Sequence, residues 1–217
     1  MILADEAQAR AWLTALPEWD AAAAARLDLL VRLLAEENAV QNLVSAVSLG
    51  EVWRRHIADS AQLLMHVPRE TSSPWLDLGT GAGFPGLVIA ALRPECEVLM
   101  VESRARRIDW LERARIAMGL ERARVIGARL EQVETRTVRA ISARAFAPLP
   151  RLLELSARFS TADTLWLLPK GRSAAQELQD LRGWRHMFHV EQSLTDAEAG
   201  VILGTLAGKM PGKGKKS

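Results

Sequence analysis

The sequence predicts an α/β fold, a mostly parallel seven-stranded sheet with helices on both faces, preceded by a helical segment over residues 1–67. Three observations carry this expectation. From Trp75 onward, short apolar runs of strand length alternate with helix-length segments. Gly79, Gly81, Gly83 and Gly86 crowd the first strand-to-helix junction. A Ser- and Thr-rich stretch, Pro68 to Pro74, separates the alternation from the helical part and reads as a linker over residues 68–74. At 217 residues and 49% hydrophobic content the chain can bury one substantial core.

In order, the helical segment reads as Glu6 to Leu16, then Ala21 to Asn38 behind Asp20 as N-cap, then Leu49 to Val67. For the third, Ser48 and Glu51 match a capping box, in which hydroxyl and carboxylate each satisfy a free helix-start N–H. The domain over residues 75–207 begins with a strand at Trp75 to Leu78 and a helix to Leu92. It continues with a strand at Glu97 to Val101, a helix to Met118, and strands at Arg124 to Ile126 and Ala140 to Ala143. Gly119 suits the residue after the second of these helices, and Pro150 the first turn of the next. Thr164 to Leu168 reads as a strand and Ser173 to Arg182 as a helix, with Trp184 to Val190 and Val201 to Ala207 as a closing strand pair.

Composition narrows the setting. The single cysteine, Cys96, forms no internal disulfide, so the fold does not depend on an oxidising compartment and a cytoplasmic protein is expected. The chain starts without a basic region followed by an apolar one, and no apolar run approaches the roughly 20 residues of a membrane span. No metal site is expected, because His66, His186 and His189 lack partners at ligand spacing. Net charge is only +2, but Arg104, Arg106, Arg107, Arg113 and Arg115, followed by Arg122, Arg124 and Arg129, exceed what local acids neutralise and suit phosphate contacts. Residues 208–217 carry four lysines among glycines and read as a disordered basic tail, with Lys213 a candidate contact to nucleic acid.

The glycine loop admits two cofactors. Gly81-Ala82-Gly83-Phe84-Pro85-Gly86 satisfies G-x-G-x-x-G, which keeps an NAD-dependent oxidoreductase open as an alternative. The wider pattern, Asp77 ahead of alternating Gly79, Gly81 and Gly83, is typical of S-adenosylmethionine (AdoMet) methyltransferases: the acid can meet the methionine end while glycine backbone passes under the ribose. Glu102, ending the second strand, can accept bonds from both ribose hydroxyls under either reading.

Further segments carry a more specific resemblance. Asn38 with Asn42-Leu43, Arg55-His56-Ile57-x-Asp59-Ser60, the Asp77 to Gly86 loop, Arg93-Pro94, Glu102-Ser103, Arg107, Ser142-x-Arg144-Ala145-Phe146-Ala147 and Lys170-Gly171 follow one another as in a single family. The chain resembles the bacterial 16S ribosomal RNA guanine-N7 methyltransferase G family, formerly called glucose-inhibited division protein B. That resemblance implies a Rossmann-like class I AdoMet-dependent methyltransferase fold and methyl transfer to N7 of a guanosine in the 530 loop of 16S rRNA. The partner implied is 16S rRNA or the 30S particle, acted on by a monomer. It implies AdoMet contacts at Gly79, Phe84, Glu102, Leu130, Glu131 and Arg144, and places Arg129 and Lys170 near cofactor or RNA. One departure is the C-terminal Asp196-Ala197-Glu198-Ala199-Gly200, where the family usually has Gly-Glu-Arg-His. A ribosome-associated AdoMet-binding module without turnover is a further alternative.

Guanine N7 carries an in-plane lone pair and no proton, so its methylation needs alignment rather than a general base. Arg144, Phe146 and Lys170 are the candidates for the reacting end, Phe146 by stacking on the target base or, equally, as a core residue capping its strand. Arg144 neutralises an AdoMet carboxylate or a phosphate, or else pairs at the surface with Glu131 or Glu154. Arg107, Arg129, Lys170 and Lys213 are the candidate RNA contacts. His56 and Asp59, three apart on a helix, either bond each other or brace the helical cap against the loop. Cys96 lies away from the strand ends where ligands bind and is read as structural.

Overall fold

The computed structural model describes residues 2–70 and 74–210. Its strands are β1 (Trp75–Leu78), β2 (Val98–Glu102), β3 (Ala123–Gly127), β4 (Ala140–Ala143), β5 (Leu165–Lys170), β6 (Trp184–His186), β7 (His189–Gln192), β8 (Gly200–Gly204) and β9 (Leu206–Lys209). Seven of them form one sheet in the order β3-β2-β1-β4-β5-β8-β7. The five strands β3, β2, β1, β4 and β5 run parallel, and β8 is antiparallel to both its neighbours. This reversal departs from the all-parallel strand order of the nicotinamide Rossmann fold.

The parallel strands are apolar on both faces because both are covered. Trp75, Val98, Met100, Ala140 and Leu167 face one core, and Leu76, Leu78, Leu99, Val101, Ile141 and Trp166 face the other. Asp77 and Ser142 interrupt this pattern, and the register sets them opposite each other on β1 and β4. Helices α1 (Glu6–Thr14) and α2 (Ala21–Asn38) begin at Asp5 and Asp20, whose side chains accept from Gln8 N and Ala23 N. Both helices share the first core with α5 (Gly86–Leu92) and α6 (Ala105–Ala117), so the N-terminal segment is built into the sheet's covering layer. A buried pair, Arg93 with Glu18 at 2.8 Å, locks the α1–α2 connection beneath the sheet; Arg93 also donates to Val67 O. On the other face lie α7 (Leu149–Ser156), with Pro150 in its first turn, and α8 (Ala174–Asp180).

The third expected helix is corrected. Instead of one α-helix over Leu49 to Val67 there is a short α3 (Ala46–Gly50), a π-helical turn (Trp53–Ala58), α4 (Asp59–Ala61) and a 3-10 turn (Gln62–His66). The cap is Ser45, which accepts from Ser48 N, and not Ser48. The amide groups of Trp53 and Arg54 are held by the Glu6 carboxylate, so α1 dictates where the π turn starts. Apolar periodicity cannot report such a change of winding.

The closing strand pair is also divided. Trp184 to Val190 splits into β6 and β7 and Val201 to Ala207 into β8 and β9; β6 and β9 pair outside the main sheet. Gly204 sits at the break with φ +138, where any Cβ would run into Met187 O. Gly208 and Lys209, expected in the tail, belong to β9; Lys213 and the rest of the tail lie outside the described residues, as do residues 71–73 of the linker. No helix among the described residues is long and apolar enough to cross a membrane.

Candidate functional site

In a sheet of this order, the connections after β1 and β4 leave in opposite directions and open a crevice at the carboxyl ends of the strands. The glycine loop enters it from β1. Asp77, fully buried, holds the loop from below: Oδ2 accepts from Gly86 N at 3.0 Å and Oδ1 from Ser142 Oγ at 2.7 Å. Ser142 Oγ in turn accepts from Trp75 Nε1. Burial pushes the Asp77 carboxyl upward, while the Ser142 and Gly86 bonds pull it back. Asp77 thus sits beneath the loop, with both carboxylate oxygens engaged by donors of the loop and of β4.

Space explains the glycines. Gly79 has φ +63, and a Cβ there would overlap the Phe146 ring; on Gly86 it would meet Met100 and Asp77 Oδ2 at 2.7 and 2.9 Å. Gly83 is packed against Leu87 and Leu111. Gly81 presents its N–H to Glu102 Oε2 at 3.1 Å. The other Glu102 oxygen accepts from Ser103 N and Arg104 N, which fixes this carboxylate at the end of β2. Glu102, Gly79, Arg107, Arg129, Leu130 and Glu131 all line one cleft of roughly 260 Å³. Within it, Arg107 approaches Glu102 to 3.8 Å, Arg129 is exposed, and Glu131 pairs with Arg151 at 3.5 Å.

A second cleft, roughly 850 Å³, adjoins the first and shares Ala145 and Phe146 with it. Arg144 stands on its wall. Its guanidinium donates to Asp59 Oδ2 and Arg55 O, each at 3.2 Å, and lies 3.1 Å from His56 Nδ1. It also lies over the Phe84 ring, on which His56 stacks at 4.8 Å. His56 and Asp59 thus do not bond each other, and Arg144 does not pair with Glu131 or Glu154; the cap residues grip Arg144 beside the loop. Asp59 is steadied by Gln62 Nε2 and Thr195 Oγ1, two positions the sequence reading did not single out. Burial, then the charges of Arg144 and Arg55, lower the His56 pKa to about 3, so the ring is neutral.

Phe146 is half buried and lies on Gly79, between the two clefts. Ala145 before it adopts φ +53, a conformation that costs a non-glycine residue about 1 to 2 kcal/mol and turns the chain sharply into the crevice. Lys170 lines the larger cleft; its side chain is 9% exposed, and Nζ donates to Ala147 O and Glu177 Oε2, each at 2.9 Å. Glu177 also accepts from Leu149 N, so Lys170 and Glu177 clamp the segment after β4. Cys96 is partly buried and its thiol is pushed up by burial.

The residues present fit AdoMet. A fixed carboxylate faces the cleft on one side of Phe146, a guanidinium stands on the other, and glycine backbone joins them. The comparisons agree. The family model described as rRNA small subunit methyltransferase G matches residues 23–198. "Ribosomal RNA small subunit methyltransferase G" of Erythrobacter litoralis is 59% identical over 204 residues, 94% of this chain and 97% of that protein. The protein of the same name from Novosphingobium aromaticivorans is 59% identical over 215 residues, 97% of this chain and 93% of its own. Among solved structures, a SAM dependent methyltransferase from Aquifex aeolicus is similar with a TM-score of 0.53 at 16% identity, covering 68% of this chain and 89% of that one. A mutant of MtNAS in complex with S-adenosylmethionine reaches 0.56 at 16% identity, covering 94% and 84%. These two similarities show the fold, a class I methyltransferase sheet, and the matched model and relatives show that the chain belongs to the rRNA small subunit methyltransferase G family.

Proposed function

We propose that this protein transfers the methyl group of AdoMet to N7 of a guanosine in the 530 loop of 16S rRNA, within the cytoplasmic small ribosomal subunit or its rRNA. The observation that carries this is the pair of adjoining clefts joined at Ala145 and Phe146, one holding Glu102 and the glycine loop, the other Arg144. Bound AdoMet supplies an electrophilic methyl on sulfonium sulfur. Glu102 accepts from the ribose hydroxyls, and Arg144 faces the methionine end. Phe146 offers its ring to the target base, a stacking contact of about 1 to 3 kcal/mol.

In the transfer, the N7 lone pair forms the new N–CH3 bond, the S–CH3 electron pair stays on sulfur, and positive charge passes to the base. No proton moves. The crevice accords with that: Asp77 is buried, and His56, its pKa pushed down to about 3, is a poor proton acceptor, so neither serves as a base. What remains is positioning, which Lys170 and Glu177 serve by clamping the segment that carries Phe146. Arg107 and Arg129 flank the smaller cleft and would engage RNA phosphates, a contribution that weakens as salt rises.

Two measurements test this reading. Calorimetry should show AdoMet binding and no comparable NADH binding, and small subunits from cells lacking the gene should take up label from methyl-labelled AdoMet. Tight NADH binding alone would return the oxidoreductase reading, and AdoMet binding without transfer would make the protein a binding module.

A further inference from the structure

Gln62, Ser193 and Thr195 are buried polar side chains that bond to one another and to Asp59 beside the larger cleft. Thr195 Oγ1 donates to Asp59 Oδ1 at 2.8 Å. A hydroxyl has one proton, so the 3.1 Å contact between the two hydroxyls is donated by Ser193 to Thr195. Gln62 Nε2 donates to the same Asp59 oxygen at 2.9 Å, and Gln62 Oε1 accepts from Leu194 N at 2.9 Å. Leu194 is pinned on its other side by Leu3 N, which donates to its carbonyl at 2.7 Å.

The donors of this cluster converge on one carboxylate. With Oδ1 engaged twice, Asp59 is held in one rotation, and its Oδ2 lies 3.2 Å from Arg144 Nη1. A run of hydroxyls ending on an anion is polarised along its length, so each bond strengthens the next. Packing alone does not call for such a cluster, because replacing paired polar groups with apolar ones of the same shape is close to neutral in stability. What the cluster adds is a fixed place for the Arg144 guanidinium.

We propose that Thr195 is a positioning residue for methyl transfer, acting on Arg144 through Asp59 rather than by touching AdoMet or RNA itself; this rests on the reading above that Arg144 serves the methionine end. Three separate stretches of chain meet in the arrangement: α4 with the 3-10 turn after it, the segment following β7, and the end of β4. Without the Thr195 hydroxyl, Asp59 keeps its charge but loses one of the two bonds that fix its rotation, and Arg144 follows it. The effect on ligands therefore passes through Arg144 and vanishes when Arg144 is absent.

A double-mutant cycle reads this coupling. Thr195→Val removes the hydroxyl at nearly constant shape, and Thr195→Ser retains it. Each is made in the otherwise unaltered full chain and in an Arg144→Ala background, with thermal melts to confirm folding; Thr195→Ala replaces Thr195→Val if the valine variant does not fold. Affinity for S-adenosylhomocysteine is measured by calorimetry and methyl transfer to small subunits by single turnover, so a variant too slow to assay still reports through binding. With Arg144 present, Thr195→Val should weaken binding and slow transfer by about five-fold or more, and with Arg144 absent by less than about two-fold, a coupling of the size found within one hydrogen-bond network. Thr195→Ser should recover most of the loss.

Equal losses in the two backgrounds overturn the proposal, as do unchanged binding and rate in Thr195→Val. A Thr195→Ser variant no better than Thr195→Val overturns it in favour of packing by the threonine methyl. If Arg144→Ala alone leaves binding and transfer intact, the role read for Arg144 fails and the proposal with it. If the unaltered protein does not bind S-adenosylhomocysteine, the AdoMet reading itself fails, which distinguishes the cases.

Discussion

Gly79→Ala isolates the close approach at the centre of the site. Two costs act at this position: φ +63, and the Phe146 ring standing where a Cβ would go. Gly119, at φ +65 with nothing within 4 Å of a Cβ, bears only the first. Gly119→Ala should therefore cost about 1 to 2 kcal/mol of stability, the price of the left-handed backbone. Gly79→Ala should cost that plus about 1 to 3 kcal/mol for overpacking against the ring, hence about 2 to 5 kcal/mol in all. Urea unfolding followed by tryptophan fluorescence reads both. In a Phe146→Ala background the Gly79→Ala cost should fall to that of Gly119→Ala, because the obstructing ring is gone. Equal costs for the two glycines in the unaltered protein, or a Gly79→Ala cost insensitive to Phe146→Ala, would refute the reasoning.

Other substitutions reach the remaining parts of the account. Glu102→Gln turns an amide donor toward Gly81 N or toward Ser103 N and Arg104 N, and should weaken AdoMet by about 1.5 to 3 kcal/mol in calorimetry. Glu18→Ala leaves Arg93 buried without its carboxylate and should cost about 3 to 5 kcal/mol in urea unfolding. The pH dependence of stability follows from His56. Its folded pKa of about 3 lies below the ordinary histidine value of 6.5, so the unfolded chain binds the extra proton between those values and stability falls as pH falls. Between pH 7 and pH 5 the unaltered protein should lose about 2 kcal/mol more than His56→Asn, at about 1.4 kcal/mol per unit below 6.5. Taking this difference cancels Asp77, whose raised pKa acts in the opposite direction.

Much of the fold was legible because its signals are local. β1 and β4 have the boundaries read from their apolar runs, and Asp20 caps α2 as its position before an alanine run implies. The winding of residues 53–66 was not, because the Glu6 carboxylate that starts the π turn comes from 47 positions away. The hairpin break at Gly204 depends on the approach of Met187 O, another contact between distant residues. In the site, Glu102 follows from its place after a strand, whereas the state of Lys170 depends on Glu177 across a turn. Ser142 left a readable trace, a lone hydroxyl in an apolar strand opposite Asp77, but its meaning needs the β1–β4 register.

Nucleoside mass spectrometry of 16S rRNA from cells with and without this gene tests the central claim most directly. The account predicts that one N7-methylguanosine disappears when the gene is deleted and returns with the unaltered protein but not with a Glu102→Gln, Arg144→Ala double variant. An unchanged N7-methylguanosine content, or loss of a methyl group from an exocyclic amine or a pyrimidine carbon instead, would contradict it.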